Sequence, residues 1–401
     1  MTTTNPDPWV WTKAREKFVD SLVTAGHVRS PEVEKAFRAV PRHIFVPNAA
    51  VEEAYGNTVV SVKNDEQGRS LSCASAPNIV ALMLEQAPIR PGMRVLELGT
   101  GTGYNAALLA HLTGPAGSVT TIDVDQDLTE TARERLAEAG AGNVQVVLGD
   151  GALGHPGGAP YDLVIATVGS HRIPAAWVDQ LAPGGHLVAP VRIAGDVSRS
   201  IVFARESDRW ASVQAQMCTF MPLRDSIGDD TRAYVHPDAD HGVQLQVNRE
   251  QHIRPDQVEG VLSDPSITVW SGVQIGGMEP RDDLWLKLAL ELENSLSRML
   301  TPRPAQDAGL VHPSLPWGDM ASVPVGGGRG LAYLTARAVP EAENRWELGV
   351  IGHAQAGHRL AEHMVTLMRA WDRALSPRFE LRMTEDGTEL TTRHQQREAA
   401  P

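Results

Sequence analysis

Cysteine is almost missing from this chain of 401 residues: only Cys73 and Cys218 occur. Two are too few for a disulfide framework and suit a reducing compartment, so both are expected as free thiols. Positive charge is also in deficit, with 36 Lys and Arg against 49 Asp and Glu and a net charge of −13. That balance argues against a nucleic-acid backbone as partner, because phosphate binding requires clustered cations that release counterions. No run is long and apolar enough to span a bilayer. Nor does the opening Met1–Pro6 offer a basic segment followed by an apolar one, so a cytoplasmic protein with no membrane partner is expected. Metal-ligand spacing is lacking too. His236, Asp238, Asp240 and His241 crowd irregularly into a polar stretch, and His353, His358 and His363 accompany a helix without a known ligand pattern, so no metal is expected.

What is present is ordinary globular composition, 42% hydrophobic and 21% charged, long enough for two domains. From Trp11 to about Val40 the spacing predicts helix, with Ser30-Pro31 placed as a cap and first-turn proline. Val40–Pro47 is bounded by prolines and is predicted as an extended connector. Between Met93 and about Arg205, strand-like runs alternate with helical ones: Arg94–Leu98, Val119–Ile122, Val144–Leu148, Leu163–Thr167, Leu187–Pro190 and Ile201–Ala204 against Tyr104–Leu112, Gln126–Ala139 and Ala175–Leu181. Such alternation predicts βαβ units around a doubly wound sheet.

After about Met221 the alternation stops, and Asp225–His241 reads as a linker or exposed loop. A mixed α+β region is expected beyond it, with long helices over Asp282–Leu300 and Gly357–Leu375 and strands at Leu331–Ala338, Trp346–Ile351 and Phe379–Met383, ending in a frayed tail after Thr391. The expected division is therefore 1–85, a helical cover and substrate-side segment; 86–220, a Rossmann-like cofactor domain; and 221–401, an extension expected to recognise a peptide.

The motif that carries chemistry is Val95-Leu96-Glu97-Leu98 running into Gly99-Thr100-Gly101-Thr102-Gly103-Tyr104. Glycines there let the backbone turn sharply and approach a ligand, while the following helix offers free N–H groups. Alone, such a turn is weak support, since dehydrogenases use a similar one. The surroundings discriminate: the Glu-x-Gly-x-Gly-x-Gly order resembles class I methyltransferases. Asp123 closes the second strand, where a carboxylate accepts ribose hydroxyls, and Asp150-Gly151 follows the third, where an adenine would lie. S-adenosylmethionine is the cofactor this pattern implies.

The chain further resembles the protein-L-isoaspartate O-methyltransferase family across about its first half. The resemblance rests on Val40-Pro41-Arg42, Phe45-Val46-Pro47, Ala54-Tyr55, Ser75-Ala76-Pro77, the Leu96–Tyr104 run, Gly149-Asp150-Gly151, Ala159-Pro160-Tyr161-Asp162, Ile173-Pro174, Gln180-Leu181, Pro183-Gly184-Gly185 and Pro190-Val191. It implies a Rossmann-like class I methyltransferase fold, and it implies that Ser75 is the active-site serine, with Asn57, Ser72, Asn78 and His171 on the substrate side. Glu97, Gly99, Thr100, Gly101, Gly103, Tyr104, Asp123, Val124, Asp150 and Gly151 would lie on the cofactor side. The competing reading of Ser75 is a cap for the helix beginning near Pro77.

On the substrate side the chain departs from the family. Cys73-Ala74 replaces Thr-Ile, Asn78 replaces His or Tyr, Asn57 replaces Asp, and Val59–Leu71 is longer and more polar. With the extension, these departures resemble members that tailor lanthipeptides of the FxLD type. The expected activity is therefore methylation of an Asp side chain in a ribosomally made peptide, leading through the ester to aspartimide and isoaspartate. The alternatives are repair of isoaspartate in damaged proteins and, in another class, a non-catalytic module that keeps the cofactor fold. In either catalytic reading the partner is a peptide or protein.

Overall fold

The computed structural model describes residues 7–66, 70–226, 228, 233–277, 279–312, 319–326, 328–340, 342–384 and 387–396. Gln67–Arg69, part of the polar stretch singled out above, lie outside the described residues. The chain divides into two compact units, one of residues 1–191, 199–229 and 379–392, the other of 192–198, 230–378 and 393–401.

The first unit is built on a nine-stranded sheet. Its parallel centre comprises β3 (Arg94–Leu98), β4 (Ser118–Asp123), β5 (Val144–Leu148), β6 (Tyr161–Ala166) and β7 (Leu181–Ala194), ordered β5-β4-β3-β6-β7. These runs are apolar because helices cover both faces of a parallel sheet; β3 and β6 are almost wholly buried. Strand order reverses between β3 and β6, and the crevice outside the carboxyl ends of these strands is where an open α/β sheet takes its ligand. The helices predicted between them form at Tyr104–Thr113, Gln126–Glu138 and Ala175–Asp179. Pro183-Gly184-Gly185 bulges out of the β6–β7 ladder, whose register jumps between Tyr161 opposite Leu181 and Leu163 opposite His186.

Beyond β7 the sheet continues through β8 (Val197–Glu206) and β9 (Arg209–Met217), an antiparallel pair. It is completed by β17 (Leu375–Thr384) and β18 (Gly387–Gln396) from the far end of the chain. The tail expected to fray after Thr391 is thus a strand to Gln396. A two-stranded ribbon, β1 (Val60–Asn64) and β2 (Ser70–Ala74), stands apart from the main sheet.

The N-terminal helices form at Pro8–Thr24 and Pro31–Ala39, the latter capped by Ser30, whose side chain accepts from the Val33 N–H. Phe18, Leu22 and Phe37 from these helices share one hydrophobic core with Val95, Leu108, Val119 and Leu163 of the parallel sheet and its helices. The region expected as a separate cover at 1–85 therefore belongs to the same compact unit. The connector Val40–Pro47 is not extended throughout: Arg42–Phe45 form one helical turn directly after Pro41, whose fixed φ suits a helix start.

The second unit holds a seven-stranded antiparallel sheet: β10 (Ala233–Asp238), β11 (Val243–Val247), β12 (Ser266–Gly276), β13 (Ser297–Leu300), β14 (Asp319–Ser322), β15 (Leu331–Ala338) and β16 (Arg345–His353), ordered β10-β11-β13-β14-β15-β16-β12. Part of the expected linker Asp225–His241 is thus strand β10. The helix expected over Asp282–Leu300 stops at Glu291. Ser295 then takes a positive φ, and in β13 buried Ser297 and Met299 alternate with Arg298 and Leu300, the period of a strand. Asn294 fixes this corner. Its Oδ1 accepts from the His252 N–H at 3.0 Å and its Nδ2 donates to the Val323 carbonyl at 3.0 Å, all but buried. No helix among the described residues is long and apolar enough to cross a membrane.

Asn294→Ala leaves a buried N–H and a buried carbonyl without these partners. It should destabilise the second unit by about 2–4 kcal/mol. Thermal unfolding measures this, and an unshifted midpoint would show that Asn294 is not the corner's anchor.

Candidate active site

The glycine loop emerges at the switch point between β3 and β6. Gly99 has φ +103, and a Cβ there would stand 2.8 Å from Val168 Cγ1 and 2.9 Å from Thr167 Oγ1, so the loop must press against the end of β6. Gly101 differs. At φ +48 its missing Cβ would meet nothing closer than Ser72 Oγ at 3.8 Å and the Cys73 carbonyl at 4.0 Å. The loop is tight against the end of β6 and looser where β2 passes, at ordinary van der Waals distance. Gly103 is the left-handed N-cap of the helix Tyr104–Thr113.

Asp123 closes over this loop from β4. Its Oδ2 accepts from the Gly101 N–H at 2.9 Å and its Oδ1 from the Asp125 N–H at 3.2 Å, while burial raises its pKa. Each carboxylate oxygen retains a free lone pair. Asp150 bonds the Ala152 N–H at 2.8 Å, and Trp177, fully buried, donates from Nε1 to the Gly151 carbonyl at 2.9 Å. Val124 is half-buried beside Asp123.

Three residues expected on the cofactor side also have side chains engaged within the fold. Glu97 has no exposed surface; Thr121 Oγ1 donates to its Oε2 at 2.6 Å and Asn105 Nδ2 to its Oε1 at 2.8 Å. Thr100, also buried, joins the same chain through Thr121 Oγ1 at 2.9 Å. Tyr104 is buried among Phe37, Phe45 and the Arg42 guanidinium. These contacts help set the loop's position.

Ser75 stands in the two-residue turn between β2 and the helix Pro77–Gln86. It is half-buried, and its hydroxyl makes no hydrogen bond among the described residues. The capping role weighed above does not hold: the N-cap is Ala76, without a side-chain cap. Asn57 serves that first turn instead, its Oδ1 accepting from the Asn78 N–H at 3.0 Å. That bond makes exposed Asn57 a support for the turn and accounts for its link to Asn78. Ser72, beside the glycine loop, is buried, and His171 is half-buried in the loop after β6.

One segment was not singled out in the sequence. After β9 the chain runs through Phe220-Met221-Pro222-Leu223-Arg224. Gly169 N–H donates to the Met221 carbonyl and Leu223 N–H to the Gly169 carbonyl, each at 2.7 Å. Arg224 Nη2 lies 2.5 Å from Asp125 Oδ2, and Ser226 Oγ bonds Asp150 Oδ2. Burial alone would raise the Asp125 pKa, but its contacts with Arg224 and Lys63 hold it below the ordinary value. The strap thus ties the ends of β4, β5 and β6 together. Its only sequence signal was an apolar run around Pro222 followed by a cation, and the boundary expected at 220/221 cut through it.

The parallel order β5-β4-β3-β6-β7, the switch point and the glycine loop define a class I methyltransferase fold. A solved structure described as a protein-L-isoaspartate O-methyltransferase shares the fold at TM-score 0.51, with 20% identity, over 94% of this chain and 99% of its own. Residues 13–228 match the family model for protein-L-isoaspartate(D-aspartate) O-methyltransferase, and the chain belongs to that family. Among relatives of that name, the protein from Hyperthermus butylicus is 37% identical over 231 residues, covering 55% of this chain and 92% of its own length. That from Ignicoccus hospitalis is 42% identical over 177 residues, 44% of this chain and 81% of its own.

Burial raises the Glu97 carboxyl to about 7, against the opposing pull of Thr121 and Asn105. The folded protein therefore keeps a proton that the unfolded chain releases near 4.5. This residue's contribution to stability is complete below that value and is lost as pH rises through about 7. Between about pH 5 and about pH 8 the protein should lose about 2–3 kcal/mol relative to Glu97→Gln. Denaturant midpoints of the two proteins against pH provide the check; parallel curves would mean that Glu97 stays ionised.

Proposed function

We propose that this chain transfers a methyl group from S-adenosylmethionine to the free carboxylate of an L-isoaspartyl residue in a protein or peptide. By family the chain is an S-adenosylmethionine-dependent carboxyl methyltransferase; the proposal concerns its substrate and the residues that handle it. The observation that carries it is the Ser75 hydroxyl, without a hydrogen bond among the described residues, directly after the strand that passes the glycine loop.

The residues present fit the cofactor. Gly101 keeps the loop backbone bare of a side chain, and Asp123 offers free lone pairs to two ribose hydroxyls. Asp150 and Gly151 are the residues for the adenine end. Bound S-adenosylmethionine supplies a methyl group on a sulfonium, so forming the O–CH₃ bond breaks S–CH₃, neutralises the sulfur and requires no proton transfer. A carboxylate is already anionic at neutral pH, and no general base is needed. The protein's task is orientation: Ser75 donates a hydrogen bond to one carboxylate oxygen and leaves the other aimed at the methyl group.

Tailoring of an Asp side chain in a constrained peptide is the second reading. It is favoured by Cys73-Ala74 and Asn78, which depart from the family at the substrate side. Its other grounds are weaker: Asn57 has a capping role here, and a solved structure described as an isoaspartate methyltransferase spans nearly the whole two-unit fold.

Mass spectrometry of the enzyme with S-adenosylmethionine and two substrates separates the readings. Methylation of a linear isoaspartyl peptide is expected; methylation or water loss confined to a cyclised, Asp-bearing precursor peptide would replace repair by tailoring. Ser75→Ala should lower turnover on the isoaspartyl peptide by about a hundredfold while S-adenosylhomocysteine affinity stays within about twofold. Unchanged turnover removes Ser75 from the reaction. Gly101→Val should abolish S-adenosylhomocysteine binding in a protein that still folds, as calorimetry would report; retained binding would refute the placement of the cofactor.

A further inference from the structure

Arg42 is a buried cation with no carboxylate partner among the described residues. Its side chain has no exposed surface, and its Nη2 donates to the main-chain carbonyls of Ser75 at 3.0 Å and Ala74 at 3.5 Å. Its guanidinium lies over the Tyr104 ring, 5.0 Å from the centroid, and its Nε and Nη1 have no hydrogen-bond partner among the described residues. The rest of its surroundings is no more acidic: Tyr55 and Cys73 are its other polar neighbours. Burial lowers its pKa, yet a guanidinium stays protonated in proteins.

Charges that folding removes from water are normally paired, because desolvating them is expensive and a remaining lone charge is worse than none. Two carbonyls and one aromatic face are partial compensation at best. Every contact that Arg42 does make fixes one thing, the strand end carrying Ser75, against the first residue of the helix behind the glycine loop.

We propose that Arg42 is the positioning residue and counter-charge for the substrate carboxylate: its fork sets the Ser75 peptide, and its unneutralised charge makes that turn selective for an anion over a neutral group. The inference rests on the reading of Ser75 given above. It adds a specificity determinant that acts through Ser75 without touching substrate, and it explains why a buried cation lacks an acid of its own.

The test uses two peptides that differ only in the free carboxylate of the isoaspartyl residue, which in the second is a carboxamide. Both are titrated into the S-adenosylhomocysteine-loaded protein. For Arg42→Met, which fills the volume without charge, carboxylate-peptide affinity is expected to fall by about tenfold, with carboxamide-peptide and S-adenosylhomocysteine affinities within about twofold. Arg42→Lys should retain the preference for the carboxylate while turnover falls, since the charge survives and the fork does not. If Arg42→Met keeps the wild-type ratio of the two peptides, or loses both equally, the inference is overturned and Arg42 is only structural. Should Arg42→Met fail to fold by thermal melting, the comparison of Arg42→Lys with Arg42→Gln decides in the same way. Failure of the functional reading is seen separately, as a wild-type protein that neither methylates the isoaspartyl peptide nor distinguishes it from its carboxamide; both proposals then fall.

Discussion

A single buried carboxylate holds the framework of the site. Glu97 receives one hydrogen bond from β4 through Thr121 and one from the helix Tyr104–Thr113 through Asn105, and Thr100 of the loop itself joins by way of Thr121. Three elements that must converge on one side of the sheet are thereby locked from the other. Satisfied buried networks of this kind specify geometry more strictly than apolar packing, because any displacement strands a polar group.

Two further constraints act on the rim. The strap after β9 pins the carboxyl ends of β4, β5 and β6 through Arg224, Ser226 and main-chain bonds to Gly169. Arg42 pins the end of β2. Both work with charge, but in opposite circumstances. Arg224 meets a carboxylate in a partly exposed setting, while Arg42 meets two carbonyls and the Tyr104 ring in a buried one. The first arrangement is self-contained; the second is electrically incomplete until something anionic arrives.

Much of this was legible in the sequence. The parallel strands and the glycine loop stood out because period and composition are local properties, and every strand predicted between Met93 and Arg205 formed, Arg94–Leu98 and Val144–Leu148 with the expected bounds and the others moved or extended. Asp123 and Asp150 lie where a strand-end carboxylate should. The errors arose where a local pattern was outweighed by a distant partner. Leu292, Leu296 and Met299 fit a helical stripe, but Asn294 turns the chain and Met299 pairs within a sheet. Glu97 reads as a ligand residue by its place before the first glycine; its bonds to Asn105 and Thr121 were not legible in that pattern. Arg42 was quoted as part of a motif with no role attached, since its burial and lack of a counter-ion exist only in three dimensions.

The chain's path through its first sheet has an implication for biosynthesis. Strand β17 pairs with β9, Glu380 opposite Ala211 and Leu381 opposite Trp210, and it buries Phe379 and Leu381 completely. The edge of the catalytic sheet is thus finished by residues that leave the ribosome about 160 positions after β9. Until then β9 presents unpaired backbone groups and uncovered apolar surface, the condition in which nascent strands associate wrongly. Along the chain, most of the second unit falls between β9 and β17, so in sequence it is an insertion rather than an appendage. Its own rate of folding governs how long the catalytic sheet remains open at one edge.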